Sequence, residues 1–358
     1  MLSARKTVQQ MHEYHPPLAG RKGLRLDFNE NTEGCSPRVL ARIREITADD
    51  LARYPEREPV EAIAAAHLGL PAEQVLLTNG VDEGIHLLCE AYLEPQDEVI
   101  VVTPTFSMYE IFAESTGANV ITVQCGEDLC FPLDKVLSKI TAATKLIAVA
   151  SPNNPTGGVA SREQLLAIAK SAPGAALLVD EAYYDFHGKT VMPDVGAVPN
   201  LFVARTFSKA YGLAGLRIGI LAGPREQMPM VRRVSSPYSV NAVALLALPE
   251  AFADSEFIAN YVAQVKAGRA KLESELRRMR IVWWPSEANF VLFRIGERHR
   301  EFVAAMRRSG ILVRDRSSDP GCDGCVRITL GTSDQTEQLV AALRDVVSEL
   351  KLGAEVSA

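Results

Sequence analysis

Between Gln74 and Ala222 short apolar runs alternate with amphipathic stretches. The runs are Gln74–Thr78, Glu98–Thr103, Asn119–Gln124, Lys145–Ala150, Ala175–Asp180, Leu201–Ala204 and Arg217–Ala222. They are apolar on both faces and bounded by turn residues, the mark of strands buried in a largely parallel sheet with helices on both sides. The spacing between them predicts helices at Asp82–Leu93, Phe106–Ser115, Leu133–Ile140 and Arg162–Ser171. Only a short loop separates the last two runs, so one of that pair is expected to lie antiparallel.

Upstream, residues 1–35 show little periodicity and read as an extended arm, whose apolar end (Leu24, Leu26, Phe28) is expected to dock. Ser36 and Pro37 are the N-cap and first residue of a helix to Ile46. Tyr54-Pro55 interrupts, and a second helix runs from Pro59 to Leu68, stopped by Gly69. After Pro237 the pattern changes. Helices at Asn241–Ala253, Ser255–Met279, Arg298–Ser309 and Asp334–Leu352 interleave with strands at Ile281–Trp284, Asn289–Ile295, Ile311–Arg314 and Val326–Leu330. The expected organisation is an arm (1–35), a large α/β domain (36–245) and a small α+β domain (246–358). There is no internal repeat, and no GxGxxG follows a first strand.

The length of 358 residues suits one large domain with a smaller one. Hydrophobic residues at 47% and charged residues at 23% are those of a soluble globular protein. A net charge of −6 argues against nucleic acid as a partner. No apolar run is long enough to span a membrane, and the polar start lacks the core of a secretory signal. Six scattered cysteines fit a reduced, cytoplasmic protein. Cys322 and Cys325 form a CxxC in DPGCDGC, without a second ligand pair for zinc. The loop reads as a Gly- and Pro-rich surface turn that happens to carry two thiols, with a redox pair as the alternative.

Ligands of parallel sheets sit beyond the carboxyl ends of the strands, so the residues there carry the candidate chemistry. Asn79-Gly80-Val81-Asp82 opens a helix and offers free N–H groups to an anion; the plainer reading is a helix capped by Asp82. Tyr109 is an aromatic plate for a planar ligand, or simply core. The string Ser151 to Gly157 fixes a turn in which Asn154 can donate a hydrogen bond. Asp180 ends an apolar strand, where a carboxylate needs a cationic partner: a ring N–H, a structural arginine or, without converging His or carboxylates, less plausibly a metal. In RTFSKAYGLAGLRIG, Lys209 has the amine for a Schiff base, while Ser208 and Arg217 can hold a phosphate. An anion cup, an aromatic plate, an amide donor, a buried acid and an amine are together the groups needed to hold pyridoxal phosphate.

With SPNNPTGG, DEAYYDF and TFSKAYGLAGLRIG in place, the sequence resembles the fold-type I pyridoxal-phosphate aminotransferases over nearly its whole length. LDFNEN, Tyr54-Pro55, PYSVN and GILVRD followed by VRITLGT resemble the histidinol-phosphate aminotransferase group. The resemblance implies an aspartate-aminotransferase-like fold, with a mostly parallel seven-stranded sheet and a small α+β domain. It implies that Lys209 carries the cofactor aldehyde and moves the proton, and that Asp180 keeps the ring nitrogen protonated. Asn154 and Tyr183 would bond O3′ and Tyr109 would stack on the ring. Val81, Asp82, Ser208 and Arg217, with Thr206 as a lesser candidate, would hold the phosphate. Tyr54 would reach the cofactor phosphate of a neighbouring subunit, making a homodimer with shared sites to which the arm also contributes. Arg327 would clamp a substrate carboxylate; Arg314, with Tyr14, would meet a substrate phosphate. No metal is implied. The arm departs from the group's pattern at Thr32 and Cys35, where proline is usual, and the loop Asp315–Gly324 is unusually rich in Asp, Gly and Cys. The implied reaction is transamination of histidinol phosphate with 2-oxoglutarate. Threonine-phosphate decarboxylases, aromatic or broad aminotransferases and non-catalytic cofactor-sensing domains share the motifs.

Overall fold

The computed structural model describes residues 2–11, 13, 15 and 20–352. Its strands, in chain order, are β1 (Leu24–Arg25), β2 (Val75–Thr78), β3 (Glu98–Thr103), β4 (Asn119–Gln124), β5 (Thr144–Ala150), β6 (Ala176–Asp180), β7 (Leu201–Thr206), β8 (Gly219–Ala222), β9 (Val282–Trp284), β10 (Phe290–Arg294), β11 (Ile311–Leu312), β12 (Arg314–Asp315) and β13 (Cys325–Thr329). Seven of them form one sheet in the order β2-β8-β7-β6-β5-β3-β4. Neighbours from β7 to β4 pair in parallel; β8 is antiparallel to both β7 and β2. The β7–β8 connection, residues 207–218, holds only the 3-10 turn Ala214–Leu216 and no α-helix to make a crossover, and the chain returns antiparallel.

Successive residues of each strand point to opposite faces, and both faces are covered. Leu76, Val101, Leu178 and Phe202 pack with Ile85, Leu88 and Val231 of the helices Gly80–Tyr92 and Met228–Val234. Their neighbours Leu77, Val102, Leu177 and Val203 pack on the other side with Leu165 and Ile168 of Arg162–Ser171. Each such fully buried aliphatic side chain contributes about 1.5–3 kcal/mol. A second, antiparallel sheet of order β12-β13-β10-β9 carries the helices Ser255–Arg278, His299–Arg308 and Ser333–Glu349.

The arm docks on this C-terminal region. β1 pairs in parallel with β11, Leu24 opposite Ile311. Beyond it, Leu26 donates to Leu312 O at 2.9 Å and accepts from Thr329 N at 2.9 Å. The predicted strand Ile311–Arg314 is therefore two: the chain leaves the arm at Val313 and joins β13 at Arg314. The short helices Lys6–Gln10, Ala48–Ala52, Tyr184–His187 and Met228–Val234 carry too little periodicity to be predicted. The surface reading of the CxxC loop is corrected. Cys322 and Cys325 are both fully buried, packed with Trp284, Leu292 and Leu129, because Cys325 begins β13 in the interior of the sheet.

Candidate functional site

The chain fills β3 and β4 on one side, then returns to place β5 next to β3 and continues through β6, β7 and β8 on the other. This reversal opens a crevice at the carboxyl ends of the strands. A cavity of about 530 Å³ lies there, lined by Tyr109 after β3, Asn154 after β5, Asp180 and Tyr183 at β6, and Thr206, Ser208 and Lys209 at β7. Val81, Asp82, Arg217, Arg314 and Arg327 complete the set that the sequence singles out. Two of its residues are not in this group. Tyr54 lies outside the cavity, 77% exposed, with its ring 4.4 Å from that of Tyr238. Tyr14 lies outside the described residues.

Lys209 is in the middle of the group. Its Nζ donates to Phe28 O at 3.1 Å, with no carboxylate paired to it among the described residues. Burial, with Arg327 nearby, lowers the amine to about 8. An amine in that range is available as a free base near neutrality, as a nucleophile requires. Asp180 is the opposite case. Its Oδ2 accepts from the Tyr109 hydroxyl at 2.6 Å and its Oδ1 from Ala182 N at 2.9 Å. Burial raises its acid to about 6, against the lowering effect of those two bonds. The Tyr109 hydroxyl thus holds Asp180, in addition to the ring face the sequence reading assigns it.

At one end the loop Asn79-Gly80 opens the 13-residue helix Gly80–Tyr92. Gly80 has φ +76°, and a Cβ there would meet Arg217 Nη2 at 2.5 Å, so only glycine lets that guanidinium close on the helix start. Arg217 itself sits at φ 52°, a left-handed conformation uncommon for a side-chain residue. Its Nη2 pairs with Asp82 at 2.9 Å, so the Asp82 carboxylate is already committed and its backbone N–H is what remains for an anion. Ser208 Oγ is buried with no hydrogen-bond partner among the described residues. Thr206 Oγ1 accepts from Ser208 N at 3.1 Å and braces the loop. A helix N-terminus, an orphaned hydroxyl and an arginine form a cup that fits a phosphate.

At the other end stands Arg327, 4% exposed. Its Nη1 donates to Asn154 Oδ1 and its Nη2 to Asp27 O at 2.6 Å, while its Nε has no partner among the described residues. Both acceptors are neutral, so the guanidinium charge is uncompensated there. Asn154 accepts through its oxygen, which leaves its amide N–H groups uncommitted. Tyr183 accepts from Asn29 Nδ2 at 2.9 Å, which leaves its own hydroxyl proton to donate.

The arm supplies groups that the sequence reading did not assign. Asn29 is buried at φ 56° and bonds Tyr183. The carbonyls of Asp27 and Phe28 accept from Arg327 and Lys209. Arg21 pairs with Asp27 at 2.8 Å and with Glu30 at 2.7 Å, and lies 4.3 Å over the Phe28 ring. The apolar end of LDFNEN signals that this stretch docks, but not on what.

The donor set fits pyridoxal phosphate. The cup would take a phosphate, Asp180 a ring N–H, Asn154 and Tyr183 a ring oxygen, and Lys209 an aldehyde carbon. Among the described residues no group of three or more His, Cys, Asp or Glu could hold a metal, and no helix is long and apolar enough to cross a membrane.

Residues 21–343 match the model of the family described as "Aminotransferase class I and II". The "Histidinol-phosphate aminotransferase 1" of Bacillus anthracis is 32% identical over 335 residues, which are 92% of this chain and 90% of that protein. The protein of the same name from Nostoc sp. is 33% identical over 349 residues, 96% of this chain and 98% of its own. Among solved structures, histidinol-phosphate aminotransferase from Sinorhizobium meliloti in complex with pyridoxal-5′-phosphate has a TM-score of 0.87 at 24% identity. It covers 96% of this chain and 97% of that one, and so shares the fold. This chain belongs to the class I and II aminotransferases.

Proposed function

We propose that this aminotransferase uses pyridoxal phosphate, held through Lys209, to move an amino group from histidinol phosphate to 2-oxoglutarate in two half-reactions. When bound, the cofactor supplies an electrophilic aldehyde and a ring that withdraws electrons from the donor's Cα. The observation that carries the reading is the convergence of Lys209, Asp180, Asn154, Tyr183 and the phosphate cup on one cavity, with Arg327 and Arg314 at its far end. Lys209 would hold the cofactor through its aldehyde carbon, with loss of water, and would carry the proton between the donor Cα and C4′ once the donor has displaced it. Its lowered basicity suits both roles. Asp180, ionised above about pH 6, holds the proton on the ring nitrogen. Tyr183 and Asn154 fix the ring oxygen. Val81 and Asp82 through backbone N–H groups, with Ser208 and Arg217, fix the phosphate.

The donor is inferred from the cavity's far end and from the names of the relatives. Arg314 and Arg327 present two guanidinium groups without a paired carboxylate. Their forks suit phosphate and carboxylate oxygens. In the second half-reaction Arg327 takes the α-carboxylate of the amino acid formed. The working protein is a homodimer in the cytoplasm, with Tyr54 reaching the cofactor phosphate of the second copy. Its exposure outside the cavity, with Tyr238, Leu51 and Val234 also exposed, supports that reading.

The test is to mix the cofactor-loaded protein with histidinol phosphate, threonine phosphate or phenylalanine, and to follow the cofactor's visible absorbance. Histidinol phosphate should react with the highest kcat/KM and yield the ketone. Carbon dioxide from threonine phosphate would favour a decarboxylase, and equal reaction with phenylalanine a broad aminotransferase.

A further inference from the structure

β12 lies antiparallel to β13 with Arg314 directly opposite Arg327. Residues opposite each other share a face, and so do residues two apart along a strand. Arg316 continues the ladder, its N–H donating to Cys325 O at 2.9 Å. All three arginines therefore project from one face of the ribbon, and all three line the cavity. Like charges placed opposite each other destabilise a sheet unless something of opposite sign lies among them.

Of the three, only Arg316 has an ion pair among the described residues. Asp319 ion-pairs with Arg316 through its Oδ2. Asp315 takes His299 Nδ1 at 2.9 Å, and Glu30 takes Arg21 at 2.7 Å. Arg314 has no ion pair among the described residues; its Cζ lies 5.2 Å over the Phe28 ring. The Nε atoms of Arg316 and of Arg327 are both buried without a hydrogen-bond partner among the described residues. Burial first, and then the charges of Arg316 and Arg314, lower Arg327 to about 9. Arg21 is shared by Asp27 and Glu30, so the wall as a whole carries carboxylates enough to balance its arginines; what sets the ribbon apart is that Arg314 and Arg327 have no ion pair among the described residues. Three guanidinium forks on one face, two of them without an ion pair among the described residues, suit the three oxygens of a phosphate better than the two of a carboxylate.

We propose that Arg316 is a specificity-determining residue: held in the cavity wall by Asp319, it completes with Arg314 and Arg327 a three-guanidinium end that selects donors bearing a doubly charged phosphate. This rests on the reading of the cavity as an aminotransferase site whose donor is phosphorylated. Arg316 adds a third fork beside Arg314 and Arg327, and so discriminates phosphorylated from unphosphorylated donors.

The experiment uses cofactor-loaded protein, whose phosphate cup is filled, at fixed ionic strength. Inorganic phosphate is the competitor against the amino donor. Loss of a charge-assisted contact is expected to raise its Ki about 10-fold or more in Arg316→Gln, with Arg316→Lys between the two. Asp319→Asn removes the opposing charge and is expected to lower Ki several-fold. Opposite signs separate a charge effect from damage to the loop, which would raise both. The preference for histidinol phosphate over histidinol should fall about as far as Ki rises in Arg316→Gln, and the fall should appear in KM for histidinol phosphate. An unchanged phosphate Ki in Arg316→Gln, or a rise in both variants, overturns the inference. A wild-type protein with no preference for histidinol phosphate, but with phosphate inhibition that still depends on Arg316, overturns the donor assignment alone.

Discussion

Replacing Lys209 by methionine in the cofactor-free protein should stabilise it at neutral pH and lose that advantage in alkali. The amine is buried and, among the described residues, bonds the Phe28 carbonyl and pairs with no carboxylate, so its charged form is disfavoured in the folded state. Its folded value is about 8 against 10.5 for the free side chain. A group lowered in this way charges the fold its full penalty below the folded value, and the penalty disappears as pH rises to the unfolded one. At 1.36 kcal/mol per unit it is about 3 kcal/mol near pH 7 and under about 1 kcal/mol at pH 10. The lost bond to Phe28 O subtracts about 1 kcal/mol at every pH, leaving a net gain of about 2 kcal/mol near neutrality. Methionine keeps a stem of similar length, so no large cavity offsets the gain. Urea unfolding of both proteins from pH 7 to pH 10 measures the difference directly. The expected result is a change of about 2 kcal/mol in favour of the wild type over that range. A difference that stays flat with pH would refute the reasoning, whatever its sign, because it would mean that Lys209 is not held away from its charged form.

Asp180→Asn should lower kcat by at least about 10²–10³-fold, the size of losing one preorganised electrostatic contact. Wild-type affinity for the cofactor should weaken as pH falls through about 6, where the acid protonates, and that limb should be absent from the Asn variant in a titration of cofactor binding. Tyr54→Phe should leave the fold unchanged and speed cofactor loss about 10-fold, the loss of one hydrogen bond to a charged phosphate. Dialysis followed by absorbance checks this, with no effect expected if Tyr54 does not reach the site. Away from the site, Arg205 forms a doubly bonded pair with buried Glu181, at 2.8 and 3.0 Å, and also donates to Thr190. Arg205→Met strands the carboxylate and should cost about 3–5 kcal/mol, seen as a fall of about 4–6 °C in Tm for a chain of this size.

The large sheet was legible because its strands are buried on both faces and turn residues bound them. Glu98–Thr103 and Asn119–Gln124 have the predicted limits, and the others differ by only a few residues at their ends. The cofactor groups were legible for a related reason. Each sits in a local string at the end of a strand, and the sheet brings the strand ends together. What the sequence hides is contact over distance. Asn29 meets Tyr183 across 154 positions, and Arg327 meets the Asp27 carbonyl across 300. Nothing local to the arm announces either. Arg316 was passed over because a Gly-rich loop reads as solvent-exposed, whereas here its N–H extends the ladder of a buried strand. The same composition misplaced Cys322 and Cys325 on the surface.

The most direct test of the central claim is where the cofactor becomes attached. Borohydride treatment of the loaded protein, then digestion and mass spectrometry, should place the reduced cofactor on the peptide carrying Lys209 and on no other. A Lys209→Ala variant should take no label. Label spread over other lysines, or equal labelling of the variant, would contradict the account.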